Sequence, residues 1–199
     1  MSDPQPAEAV KLIASLFSGD GYLIGDALRG LSEQFGRADF ISAPAPFDYT
    51  DYYAREFGGP LIRRFVAFER LIRPESLPDV KLWTNSLEQR LAAEGRRKVN
   101  IDPGYLAKAH LILATGKGYT HRPYLRDGIY ADLTLAYRDK KFHPLPWTYP
   151  DYAGAEVTGM LIRIREKYIL QLKGRAADSE QTAGRRAIPG ESVLDKELE

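Results

Sequence analysis

The 199-residue sequence contains no cysteine. That absence excludes disulfides, thiolate-held zinc, iron–sulfur ligation and a cysteine nucleophile, and it accords with a reducing compartment. Histidine is scarce too: His110, His121 and His143 are the only three, and neither HExxH nor another metal-ligand spacing joins them. No apolar run approaches the ~20 residues that cross a bilayer. Residues Met1 to Val10 carry acid and proline where a signal peptide needs a basic and then an apolar run, so a cytoplasmic protein without membrane attachment is expected. Neither sign of charge is in excess. With 28 basic and 27 acidic side chains, no global field draws the chain to nucleic acid or to an anionic surface. The GxxxxGK[ST] phosphate loop and the NKxD guanine-reading tetrad are both missing.

What remains is an ordinary globular composition, 44% hydrophobic, sufficient for one sizeable core. Residues 1–9 read as a flexible start, 10–173 as a single globular domain, and 174–199 as a disordered polar tail without aromatic residues. Within the domain, Val10 to Phe17 reads as a strand, and Leu23 to Phe35 as a helix ended by Gly36. Asp39 to Ala43 reads as a further strand. Leu61 to Ile72 fits a helical stripe, yet its Phe and Val content and the preceding Gly58-Gly59-Pro60 favour a strand. Val80, Trp83, Leu87 and Leu91 repeat at helical spacing. Val99 to Ile101 reads as a strand closing in a turn at Asp102-Pro103-Gly104. The order strand, helix, strand, strand, helix, strand predicts an α+β fold, a ferredoxin-like antiparallel sheet with two helices. Extra C-terminal strands at Leu111 to Thr115, Ile129 to Tyr137 and around Phe142 extend it, with turns at Arg126-Asp127-Gly128 and Arg138-Asp139-Lys140. A final helix from about Gly154 to Leu172 completes it.

The pattern Tyr-x-Asp-Tyr-x-x-x-Glu-x-x-Gly-x-Leu-Ile-Arg occurs twice, at Tyr49 to Arg63 and at Tyr149 to Arg163. Leu12-Ile13-Ala14-Ser15 is echoed by Ile112-Leu113-Ala114-Thr115 at the same separation, which points to an internal duplication. One conflict stands against it, because Leu61 onward reads as strand and Leu161 onward as helix.

Unlike polar residues concentrate between Lys81 and Tyr152. Lys81, Thr84, Asn85 and Glu88 make one stripe on a helix, where lysine holds an anion, Asn85 orients it and Glu88 accepts a proton. The alternative is a solvated helix face. Asn100 and Asp102 share a facing near a strand end. Thr115 to Arg122 is a glycine-rich basic loop that offers Lys117, Arg122 and backbone N–H groups to phosphate or carboxylate. His121 is the one histidine placed for acid–base work. Trp147, Tyr149 and Tyr152 offer rings around Asp151, for stacking or for packing. Glu88, Asp102, Asp132 and Asp151 would suffice for a divalent metal if the fold gathered them.

The stretches FDYTDYYAREFGGPLIRRFVAFERLI, VKLWTNSLE, NIDPGYL, ILATGKGYTHRPYL, DGIYADLTL and WTYPDY together resemble the bacterial family known as domain of unknown function 4416, over roughly residues 10 to 172. The resemblance carries no catalytic role onto any residue. From the residues themselves, the expectation is a cytoplasmic binding protein or enzyme for a small anionic, phosphorylated or nucleotide-like metabolite. Asp102 and Glu88 are the catalytic candidates; Lys81, Asn85, Asn100, Lys117, Arg122 and Asp151 are the ligand contacts. Two alternatives are a single-strand RNA-binding module, disfavoured by the balanced charge, and an interaction scaffold without a ligand. Oligomeric state stays open.

Overall fold

A computed structural model of the chain describes residues 3–48, 54–57 and 59–186. Strand β1 (Val10–Ser18) is buried along its whole length, as its near-continuous apolar run requires of a strand covered on both faces. Asp20 caps α1 (Gly21–Phe35) by accepting from the Tyr22 N–H at 2.8 Å, and Gly36, with a φ of 93°, ends that helix. Then come β2 (Ala38–Ile41), β3 (Ala45–Pro46), the short α2 (Ala54–Phe57) and β4 (Ile62–Ile72). A 3₁₀ turn at Pro74–Ser76 starts α3 (Leu77–Arg90). Strands β5 (Asn100–Leu106), β6 (His110–Thr115), β7 (Tyr124–Arg126), β8 (Ile129–Arg138) and β9 (Lys141–Pro144) follow, before α4 (Pro150–Ala153) and α5 (Ala155–Arg186).

The strands form one antiparallel sheet in the order β2-β4-β1-β5-β6-β8-β7, with β3 added to β4 and β9 to β8. The α+β class read from the sequence is therefore present. Side chains alternate across it. Leu12, Ala14, Leu16, Val66, Phe68 and Ile101 point to one face and pack on α1 and α3 through Ala27, Leu31, Phe35, Val80 and Leu87. Ile13, Phe65, Ala67, Leu106, Leu111 and Leu113 point to the other face, against Tyr152 of α4 and Met160, Leu161, Ile164 and Tyr168 of α5. Among the described residues no helix is long and apolar enough to cross a membrane.

One expectation holds and several change. Leu61 to Ile72 resolves as strand, because β4 lies between β1 and β2 and needs apolar residues on both faces. Asp102-Pro103-Gly104 is not a turn but the middle of β5. Proline is tolerated there for a geometric reason. Ile101 bonds sideways to α3, and backbone groups two residues apart point the same way, so the N–H that Pro103 lacks would face away from β1. Pairing of β5 with β6 begins only at Gly104. Helix α5 runs to Arg186 rather than stopping near Leu172, since Ala, Glu, Gln and Arg are strong helix formers. The read tail beyond that, 187–199, lies outside the described residues. So do residues 49–53 and 58 of the first repeat copy. Of the part that is described, Leu61-Ile62-Arg63 leads into and begins a strand while Leu161-Ile162-Arg163 is helical, so this pair carries no structural duplication.

Candidate functional site

On the α5-covered face, β5 and β6 change from apolar to polar in the same direction, and β1 places a serine beside that change. Along β5 the order is Leu106, Gly104, Asp102, Asn100; along β6 it is Leu111, Leu113, Thr115; along β1 it is Ile13, Ser15, Phe17, with Phe17 packed on Phe47 and Leu61. Cross-strand register makes these changes coincide, with Ser15 opposite both Asp102 and Phe65. Helix α5 covers the apolar end. The polar end meets α2, α4 and the 116–122 loop instead.

Of the four acids singled out in the sequence, Asp102 is the most accessible. Its side chain is 38% exposed, against 6% for Glu88, 9% for Asp132 and 10% for Asp151. Asn100 Nδ2 donates to Asp102 Oδ2 at 2.7 Å, and Lys81 Nζ stands 3.8 Å from Oδ1. The two residues read as sharing a facing on this strand therefore touch.

The Lys81, Thr84, Glu88 stripe is buried, not a solvated helix face. Lys81 Nζ donates to the Ile101 carbonyl at 3.0 Å, while Glu88 Oε1 accepts from the Ile101 N–H at 2.6 Å. Helix α3 thus satisfies the edge of β5 where β6 has not yet joined. Glu88 Oε2 also accepts from Arg97 at 3.3 Å, so both oxygens of this expected catalytic acid are engaged by β5 and Arg97. Asn85 is half-buried beside the stripe. Arg97 goes further. It forks onto both Glu56 oxygens at 2.7 and 2.9 Å and donates to Asn100 Oδ1 at 2.9 Å, tying α2 to the strand that carries Asp102.

These two acids titrate in opposite directions. Burial pushes the Glu88 carboxyl up despite Lys81, the Ile101 N–H and Arg97, whereas the hydrogen bond from Arg97 pulls Glu56 down. A raised carboxyl contributes fully below its ordinary value of 4.5 and loses that contribution as pH rises through the folded value; a lowered one contributes above 4.5 and loses it as pH falls. Glu88→Gln is therefore expected to flatten the stability loss above 4.5, and Glu56→Gln to remove the loss on acidification below it. Urea midpoints between about pH 3 and 7 measure both slopes. Parallel slopes in the wild type and both variants would contradict the assignment.

Arg122 proves to be a staple. Its Nε donates to Asp132 Oδ2 at 2.7 Å, Nη1 to the Lys117 carbonyl at 3.1 Å and Nη2 to the Tyr149 hydroxyl at 3.4 Å. The 116–122 loop is thereby fixed to β8 and to the start of α4. His121 Nε2 lies 3.5 Å from the same Asp132 oxygen, with its ring stacked on Trp147. Lys117 is exposed and acts electrostatically on Glu56, which brings the loop to the same side as Arg97.

Arg63 was not foreseen. It is buried, donates through Nε to Ser15 Oγ at 2.7 Å and through Nη1 to Asp151 Oδ2, and is flanked by the rings of Phe47, Phe65 and Tyr152. Asp102 acts on both Arg63 and Tyr152, whose phenol burial pushes well up. Asp151 is thus an anchor for Arg63 rather than an open ligand contact. A serine and an arginine standing at period two among apolar strand residues were the available signal, as was Arg96-Arg97-Lys98 for Arg97.

The four acids that would suffice for a metal if gathered are divided among cations: Glu88 with Arg97, Asp102 with Lys81, Asp132 with Arg122, Asp151 with Arg63. Among the described residues no group of three or more His, Asp or Glu is arranged to hold a metal ion.

The family model described as Domain of unknown function (DUF4416) matches residues 8–168. No curated protein and no solved structure matches the chain.

Proposed function

We propose, from the premise that the chain belongs to the DUF4416 family, that it binds a small anionic, phosphorylated or nucleotide-like metabolite at the polar end of the sheet, with Asp102 as the acid–base group if turnover follows. One observation carries this reading: Asp102 is the single well-exposed carboxylate among the four predicted acids, and it sits beside Asn100 in a network that also holds exposed cationic surface. Arg97 remains 35% exposed after its pairing, and Lys117 is exposed on the facing loop. These two are the anion contacts of the proposal, with the buried Asn100 orienting Arg97 and Asp102 through its amide rather than touching the ligand. Lys81, Glu88, Arg122 and Asp151 hold the frame. The same reading takes β1, α1, β2, β4, α3 and β5 as a ferredoxin-like unit, supported by the antiparallel order β2-β4-β1-β5, and takes the cytoplasm as its setting, supported by the cysteine-free composition.

Thermal-shift titration with inorganic phosphate, ribose 5-phosphate and other sugar phosphates tests it. A ligand at a hundredfold excess over its Kd stabilises by about 2.7 kcal/mol. The expected result is a shift that Arg97→Ala with Lys117→Ala removes, and that Asp102→Asn preserves while abolishing any turnover. A shift that survives the double cation variant would defeat the placement of the anion. If no phosphate-bearing compound shifts the wild type, the reading fails.

A further inference from the structure

Three aromatic residues stand exposed around the basic loop: Tyr119, 69% exposed, Tyr149, 56%, and Trp147, 38%. They are anchored. Trp147 stacks on the His121 ring at 4.8 Å and 12°, and its Nε1 donates to the Leu133 carbonyl at 2.8 Å. Tyr119 meets the same imidazole edge-on at 5.4 Å, and the Tyr149 hydroxyl lies on Arg122. The loop between them is seated on Tyr130, close enough that a Cβ on Gly118 would lie 3.1 Å from the ring. Exposed rings that are held in place beside cationic side chains mark a recognition surface more than a packing one.

We infer that this surface stacks the planar base of a mononucleotide whose phosphate is the anion proposed above. The inference rests on that reading and adds the chemical class of the ligand. A ring face accepts any base, so little discrimination between purine and pyrimidine is expected. A single nucleotide suits the site better than a strand. Glu56, Asp102 and Asp132 lie in the same region and would oppose a run of phosphates, and the chain's net charge is only +1.

The chain has two tryptophans, so Trp83→Phe leaves Trp147 as the only one. In that background AMP, CMP, ribose 5-phosphate and inorganic phosphate are titrated by fluorescence and by calorimetry. The nucleotides are expected to quench Trp147 and to bind about tenfold more tightly than ribose 5-phosphate. Tyr149→Ala and Tyr119→Ala should each lower that advantage, whereas Tyr149→Phe, which keeps the ring and loses only the hydroxyl, should retain it. Equal binding of AMP and ribose 5-phosphate would overturn the base platform and leave the anion reading standing. Absence of binding by every probe would overturn both. Tighter binding of a short single-stranded RNA than of AMP, falling steeply with salt, would replace the mononucleotide with a strand.

Discussion

Replacing Arg63 with methionine is expected to cost the fold about 3–5 kcal/mol, because it leaves Asp151 buried without its partner. The side chains of this pair are 7% and 10% exposed, so water cannot take over the role of the guanidinium. Three aromatic rings lie over that guanidinium at 5.1, 4.4 and 4.8 Å, and its Nε also satisfies Ser15. Lysine would be a poor substitute, since a point charge neither bridges Ser15 and Asp151 as the planar guanidinium does nor lies flat between rings. Urea denaturation gives the measurement, and the double variant Arg63→Met with Asp151→Asn supplies the check. Removing both charges should recover much of the loss, whereas two independent sites would simply add. A loss below about 1 kcal/mol would show the pair to behave as an exposed one. Function should suffer as well, because α4 reaches the sheet through this pair and Asp102 lies within its field.

The second large effect is expected at Gly104. A Cβ there would fall 2.3 Å from the Ile112 carbonyl oxygen and 3.1 Å from the Leu113 Cα, and backbone atoms cannot swing aside as a side-chain end can. Gly104→Ala should therefore cost about 3 kcal/mol, at the upper end of ordinary overpacking, by forcing β5 and β6 apart. Asp102 is two residues away on the same face, so the separation should also weaken ligand binding. Gly30→Ala provides the contrast. Its new methyl would meet only the Leu87 side chain, from 3.3 Å, inside a helix where alanine is favoured over glycine by about 1 kcal/mol. Near-neutral stability for Gly30→Ala and a large loss for Gly104→Ala, read from the same denaturation series, is the expected pair. Equal effects at both positions would refute the argument from close strand approach.

Much of the architecture was written locally. Alternation and apolar runs marked β1, β4, β6 and β8, and helical spacing marked α1 and α3, with a glycine stop for α1. The turn at Arg126-Asp127-Gly128 was legible because Asp127 and Gly128 both take positive φ, which their residue types tolerate. Strand β7 escaped because three residues are too short for a pattern. The reading failed at Asp102-Pro103-Gly104 for a different reason. Local chemistry there says turn, and only the neighbours of β5 decide otherwise: β1 on one side, and α3 followed by β6 on the other.

The site divides in the same way. Residue types and spacing were enough to select Asn100 with Asp102, which do meet, and to select the basic loop that ends in Arg122. Which charge lies open and which is consumed in holding the frame depends on what stands opposite each side chain. That is set by sheet register and helix docking between residues as far apart as Arg63 and Asp151, or Glu56 and Arg97. Sequence by itself determined the α+β class, the positions of most elements and the polar character of one stretch, because backbone propensity and hydrophobic period act over a few residues. Tertiary structure alone decided that Asp102 is reachable while Glu88, Asp132 and Asp151 are paired, because burial and ion pairing are properties of groups brought together from distant parts of the chain.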